Sequence, residues 1–427
     1  MSKTELQVPQ NPPENRGCAN SIPTNFLRSL LTPSDVQVLV KRSLGRDAEV
    51  CTFFLRPYAD GKLGFLGTHQ RLHVEVRIGN EKRLLYFFVK SVPYDVPIQA
   101  EYVFSKGFFE LEAGFYGEMI PQLLKEYNGE PWAASCHLSK RDVLVFDDLT
   151  IKGYSMKSKS FFDKDQMTSG LSAIARLHAS SILAEERLGK PLVEVYPKLL
   201  KGNNLSEPEE TRKWFYAGIR AAITIADHHG LDSSLLMDIC KMADNAYRMS
   251  ASKRNVVSHG DIWGNNLLFN NDTPPKCLLV DFQLYRYCPL AHDVIFFLYL
   301  CTDRDFRNLW EESMVRHYYS VLSETISSSN PSVEIPPWSE IAEGVEEQRL
   351  GALVTAIVYF PTILMNENIA QQILTDPDSY KAYTFEDRGD IVISIMEKDP
   401  MLINSGIVGL YKLIVVDLIG KCMSIFP

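Results

Sequence analysis

Residues 256–293 read VVSHGDIWGNNLLFNNDTPPKCLLVDFQLYRYCPLAHD, with a few polar side chains interrupting otherwise apolar, strand-like runs. Polar groups among core residues cost free energy unless they are satisfied, so Asp261, Asn266, Asp281 and Asp293 need an explanation. The runs around Asp261 and Asn266 predict short β-segments joined by a loop tight enough for both side chains to face one site. Asp281 ends the apolar run 277–280 and so presents a carboxylate at the end of a buried strand.

Outward from this stretch, the chain divides into two kinds of pattern. Thr32-Pro33-Ser34-Asp35 has the form of a helix start before the apolar-periodic VQVLVKRSL. From 49 to 92 the pattern is that of strands: VCTFFL, then RLHVEVRI with alternating faces, a turn at Gly79-Asn80, and LLYFFVKSV. Residues 99–127 carry apolar positions at helical spacing, weakened by Gly107 and Gly114, and 142–149 (DVLVFDDL) read as a further strand. Beyond Phe162 the pattern is helical, apart from the β-segments within 256–283. These features predict an α+β fold of two lobes: a small antiparallel β lobe with one main helix over 23–150, and a large, mostly helical lobe over 151–427. Residues 1–22, rich in Pro, Asn and Glu, predict a disordered arm, with order beginning near Pro23.

Composition removes several function classes. At 427 residues the chain exceeds what one core usually serves, which favours lobes with a cleft between them. A net charge of −9 argues against a nucleic-acid partner, because phosphate-backbone binding needs dense Lys and Arg. Eight cysteines without a C-x-x-C pair fit reduced thiols better than a disulfide or zinc framework. The N-terminus lacks an apolar signal core, so a cytoplasmic location is expected. The apolar run 402–419 is broken by Asn404, Lys412 and Asp417 short of the roughly 20 residues of a membrane span, so a buried helix rather than membrane insertion is expected there. Nothing in the sequence sets an oligomeric state.

Asp261 and Asn266 stand at the spacing of a kinase catalytic loop, in which the Asp accepts the proton of the substrate hydroxyl and the Asn coordinates magnesium. Asp281 followed by Phe282 parallels the second magnesium-holding carboxylate, and one carboxylate plus one amide oxygen is a sufficient protein share for Mg2+ on a nucleotide. SHGD at 258–261 through Asn266, then LVDFQ at 279–283, resembles the aminoglycoside phosphotransferase and choline kinase branch of the protein-kinase-like fold. Trp263, D-F-Q in place of D-F-G, and LVFDDL at 144–149 resemble, more narrowly, the ecdysteroid-kinase-like (CHK kinase-like) family. The resemblance runs over roughly 35–425, with its characteristic region at about 143–330.

This resemblance implies a bilobal protein-kinase-like fold, ATP and Mg2+ as cofactors, and further residue roles. Lys90, at the end of the third strand, is the cation for the α and β phosphates. Its partner is a glutamate of the next helix: Glu112 best matches E-x-x-x-Tyr, with Glu110 and Glu118 as rivals. The phosphate-covering loop falls on the glycine-rich 61–68, including Gly64 and Gly67, which matches neither a Walker A nor a full G-x-G-x-x-G. Residues 147–150 are the hinge, with Phe146 or Leu149 lining the adenine pocket. His259 and Asp293 support the loop structurally, and LSAIARLHASSI at 171–182, with His178 mostly core, is the helix that precedes it. Gly260 replaces the Arg of H-R-D, which removes control by loop phosphorylation.

The implied activity is transfer of the γ-phosphate to a hydroxyl of a small-molecule alcohol, an ecdysteroid or a similar lipophilic acceptor over the apolar segment 338–368. A choline or aminoglycoside kinase and a catalytically silent binding protein on the same fold remain open alternatives. A protein kinase is disfavoured by the absence of an A-P-E motif after Asp281.

Overall fold

The structure, a computed structural model, describes residues 30–59, 67–157, 161–200, 209–363, 365, 367–386 and 388–398. The expected N-terminal arm, the point at which order begins, Gly64 with its neighbours 61–66, and the apolar run 402–419 lie outside the described residues.

The chain enters through helix α1 (Pro33–Leu44), which Thr32 caps in a reciprocal capping box with Asp35. Three strands follow, β1 (Glu49–Pro57), β2 (Thr68–Ile78) and β3 (Glu81–Ser91), joined at β2–β3 by a tight turn at Gly79 in left-handed backbone. With β4 (Cys136–Ser139) and β5 (Val143–Asp147) they form one antiparallel sheet in the order β1-β2-β3-β5-β4. Side chains alternate across a strand, and that period assigns the faces. Leu72, Val74, Val76, Phe87, Val89, Val143 and Val145 turn to one face and bury against Val36, Leu39 and Val40 of α1. The other face carries Lys90 and its cross-strand neighbour Leu144, together with Phe146, and looks towards the rest of the molecule.

The expected single helix over 99–127 is broken. Gly107 adopts φ +66°, ending α2 (Pro97–Lys106), and the chain restarts as α3 (Phe108–Gly114). Gly114 itself stays right-handed, and α3 runs on through a π-turn, Phe115–Met119. The π-turn buries Phe115, Tyr116 and Met119 in the main core.

That core belongs to the helical lobe. Helix α4 (Lys164–Leu188) is capped by Asp163 and Gln166 and buries most of its length. Helix α7 (Arg304–Ser329) and, less extensively, α6 (Ala291–Cys301) pack against it, α8 (Trp338–Ile363) packs on α6, and α5 (Glu209–His228) packs on α8, with shorter helices following to Lys398. Two small antiparallel ladders interrupt the helices: β6 (Asn255–Ser258) with β9 (Arg286–Pro289), and β7 (Leu267–Phe269) with β8 (Cys277–Leu279). The whole is a bilobal, protein-kinase-like α+β fold, and the two ladders hold the segment 256–293 at the junction of sheet and helices. No helix among the described residues is long and apolar enough to cross a membrane.

Candidate active site

The loop after β6 is shaped by its glycine. Gly260 has φ +75°, and a Cβ there would lie 2.3 Å from the carbonyl oxygen of Leu284, so no larger residue fits without displacing backbone. Asp293, at the start of α6 and fully buried, accepts from the backbone N–H of His259 at 2.6 Å and of Gly260 at 3.0 Å. His178 of α4 donates from Nε2 to the same carboxylate at 3.3 Å, and its Nδ1 meets the Tyr318 hydroxyl at 2.7 Å. Burial pushes the Asp293 carboxyl up, but His178, His292 and His259 outweigh it and hold the group well below the usual carboxylate range. His259 donates from Nε2 to the Val280 carbonyl at 2.9 Å and accepts the Asp261 N–H at Nδ1, tying the loop to the end of β8.

Asp261 therefore leaves a braced turn. Asn266 ends a 3-10 turn whose amide Nδ2 donates to the Asp261 carbonyl at 2.8 Å and to its carboxylate Oδ2 at 3.1 Å. Burial raises the Asp261 carboxyl above its ordinary value, the nearby Asp281 adds to this, and His259, Asn266 and Arg286 act in the opposite sense. Asp281 has φ +67°, left-handed backbone that a non-glycine residue rarely adopts and that clusters at functional positions. Phe282 beside it is fully buried, stacked on Phe115 at 4.3 Å and close to His259 at 4.5 Å and Trp132 at 5.9 Å. That burial contributes roughly 1.5–3 kcal/mol and pins the exposed side of Asp281 to the cleft.

From the sheet, Lys90 reaches the same point. Its Nζ lies 2.6 Å from Glu112 Oε2 and 2.6 Å from Asp281 Oδ1. Burial favours the neutral amine, but Asp281 and Glu112 outweigh it and raise Lys90 above its ordinary range. One cation serves two carboxylates, and the deficit falls on the more deeply buried: burial pushes Glu112 up to about 7. Of its rivals, Glu110 is exposed and faces Arg141 at 3.9 Å, and Glu118 is exposed. Gly67 lies against the Lys90 stem, where an added Cβ would stand 3.4 Å from Lys90 Cγ. Phe146 and Leu149 are buried in the main core, Phe146 against Phe88 and Tyr116. In 147–150, the Asp147 N–H donates to Ser135 and the Leu149 carbonyl accepts from Tyr154. Asp148 accepts from Tyr58 at 3.0 Å and from Arg71 at 2.6 Å, fastening this segment to β2 and to the residue that follows β1.

The structure thus links Lys90 to Glu112, Gly67 and Asp281, and Asp261 to Asn266, with Asp281 near enough to raise the Asp261 carboxyl and with His259 and Asp293 behind the loop. It adds residues that sequence reasoning did not single out. Arg286 of β9 lies against Gly260, and Tyr359 of α8 stands near enough to Asp261 for that carboxylate, after burial, to push its hydroxyl well above the ordinary range, while its ring meets Trp214 at 5.3 Å. A charged residue inside the apolar LYRYCP run was a usable signal for Arg286. Tyr359 lay within the segment 338–368 read as the acceptor side, but nothing in its apolar surroundings from Leu350 on marked it individually.

The donor set fits a divalent ion held with a nucleotide. Asn266 spends its nitrogen on Asp261, which leaves its side-chain oxygen, a hard ligand, while its backbone carbonyl accepts from the Val280 N–H just before the partly exposed Asp281. Among the described residues no three His, Cys, Asp or Glu side chains group as metal ligands. A site completed by phosphate oxygens needs none.

Comparison with known proteins adds the following. The model of the ecdysteroid kinase-like family matches residues 64–330. No curated protein matches the chain. Solved structures similar to it include a Plasmodium vivax ethanolamine kinase, 9% identical, covering 89% of this chain and 86% of that one at TM-score 0.41. The macrolide 2'-phosphotransferase of Brachybacterium faecium is 11% identical, covering 80% and 98% at TM-score 0.35. The choline kinase of Streptococcus pneumoniae is 11% identical, covering 75% and 98% at TM-score 0.31.

Proposed function

The chain belongs to the ecdysteroid kinase-like family, and from that membership we propose that it is an ATP- and Mg2+-dependent phosphotransferase acting on a hydroxyl of a small, lipophilic alcohol. The observation that supports this reading is the chain of contacts from Lys90 to Asp281 and from Asn266 to Asp261, with Asp281 acting on Asp261. The family's own description supports an ecdysteroid or a related sterol as acceptor.

In this reading Asp261 orients the acceptor hydroxyl and takes its proton as the oxygen bonds to the γ-phosphorus and the bond to the β–γ bridging oxygen breaks. A base works best with a pKa near the working pH, and the upward shift of Asp261 moves it in that direction. Lys90 holds the α and β phosphates, and Glu112 keeps it aimed. Asn266 and Asp281 hold the divalent ion, which neutralises phosphate charge when bound. Catalysis of this kind is mostly positioning and fixed charge.

An acceptor approaching Asp261 meets the Tyr359 hydroxyl and the Arg286 field. The Arg286 charge beside Asp261 opposes an ammonium compound such as choline and suits a neutral alcohol. The test is incubation with γ-labelled ATP and Mg2+ against hydroxylated sterols, choline and aminoglycosides, with Asp261→Asn as control. Label on a sterol, lost in the control, supports the reading; label on choline or an aminoglycoside overturns the acceptor class. No transfer to any of them supports a silent binding protein instead.

A further inference from the structure

Arg286 is a buried cation with no carboxylate in salt-bridge reach among the described residues. It opens β9 opposite Ser258 of β6 and is 4% exposed. Its Nη2 donates to the Gly260 carbonyl at 3.4 Å, and its Nε lies 2.7 Å from where a Cβ at position 260 would stand. Its guanidinium covers the Tyr247 ring at 5.2 Å, and Nε and Nη1 are buried without a hydrogen-bond partner. Buried charge of this kind is costly, and replacing it with apolar side chains is often neutral or stabilising. Packing alone therefore does not account for an arginine here.

The geometry points to Arg286 as the positioning residue of the Asp261 loop. The loop has no side chain at 260, and the guanidinium enters that space from β9. It grips the carbonyl immediately before Asp261, while Asp293 grips the two N–H groups before it, so the turn is fixed from both sides. Its charge also acts on Asp261 and on Tyr359, the two groups that meet at the acceptor side. A guanidinium thus stands beside the H-G-D turn although the turn carries no arginine of its own. Its consequence for turnover rests on the phosphotransfer reading; its grip on the loop does not.

The test uses the full chain and the variants Arg286→Ala and Arg286→Lys, followed by hydrogen exchange of peptides covering 258–266 and covering β2–β3. Arg286→Ala is expected to exchange about tenfold faster over 258–266 with β2–β3 unchanged, since loss of a local constraint opens that unit alone. Guanidinium chloride at low millimolar concentration is expected to restore protection where sodium chloride does not, and Arg286→Lys to lie between parent and alanine. Unchanged loop exchange in both variants, equal acceleration of both regions, or no response to guanidinium overturns the assignment. With an accepted alcohol, Arg286→Ala is expected to lose about 10–100-fold in kcat at an ATP KM within a few-fold of the parent. A parent chain that transfers no phosphate defeats the phosphotransfer reading while leaving the exchange result to decide this one.

Discussion

Lys90 Nζ lies 2.6 Å from Asp281 Oδ1, a direct ion pair between a strand of the small sheet and the loop that follows the β7–β8 ladder. A cation shared in this way is positioned to accept nucleotide phosphates in place of a carboxylate. Lys90→Met is expected to raise the ATP KM at least about tenfold and lower kcat by about 10²-fold, the scale of removing one fixed charge from a transition state. Nucleotide titration checks this, and unchanged ATP affinity would move the phosphate role to another cation.

Glu112 supplies the pH dependence of the nucleotide-free chain. Its folded pKa is raised from 4.5 to about 7, chiefly by burial, so the folded state holds the proton more tightly than the unfolded one. The stability this confers is fully present below pH 4.5 and is lost as pH rises through 7. Tm measured across that window is expected to fall less steeply in Glu112→Gln than in the parent.

Asp293 acts in the opposite direction. Its folded pKa is depressed, so its stabilisation is fully present above the unfolded value of 3.8 and is lost progressively as pH falls from there through the much lower folded value. Asp293→Ala leaves two buried N–H groups and His178 without their acceptor and is expected to cost roughly 3–5 kcal/mol at pH 7. Denaturant unfolding of parent and variant should differ by a constant amount above pH 3.8, with the gap beginning to narrow only below it.

Tyr359 tests the acceptor side separately. Its hydroxyl is coupled to Asp261, and its loss is expected to act on the scale of one hydrogen bond, about 0.5–1.5 kcal/mol. Tyr359→Phe is expected to change the acceptor KM by about 3–10-fold, which is the same free energy, and to leave the ATP KM unmoved. A variant that moves only the ATP KM would place α8 on the nucleotide side.

The sheet was legible because β2 alternates Leu72, Val74 and Val76 with polar residues, and because Thr32 and Asp35 announce the first helix. The helix over 99–127 was legible in kind but not in continuity, since the left-handed turn at Gly107 depends on how Phe109 and Phe115 find different cores. Strand β4 escaped notice: it is four residues long and reads as a loop until β5 pairs with it. At the site, Asp261, Asn266 and Asp281 were visible because they interrupt apolar runs at fixed spacing. The roles of Arg286 and Tyr359 were not, because each depends on a tertiary neighbour. Arg286 matters through the missing Cβ of Gly260, and Tyr359 through a helix far along the chain.

The central claim is that Asp261 is the base of a phosphoryl transfer, and Asp261→Asn tests it with little change of shape. With the best acceptor found, kcat should fall by about 10²–10⁴-fold while Mg·ATP still binds with parental affinity. Turnover within a few-fold of the parent would contradict the account.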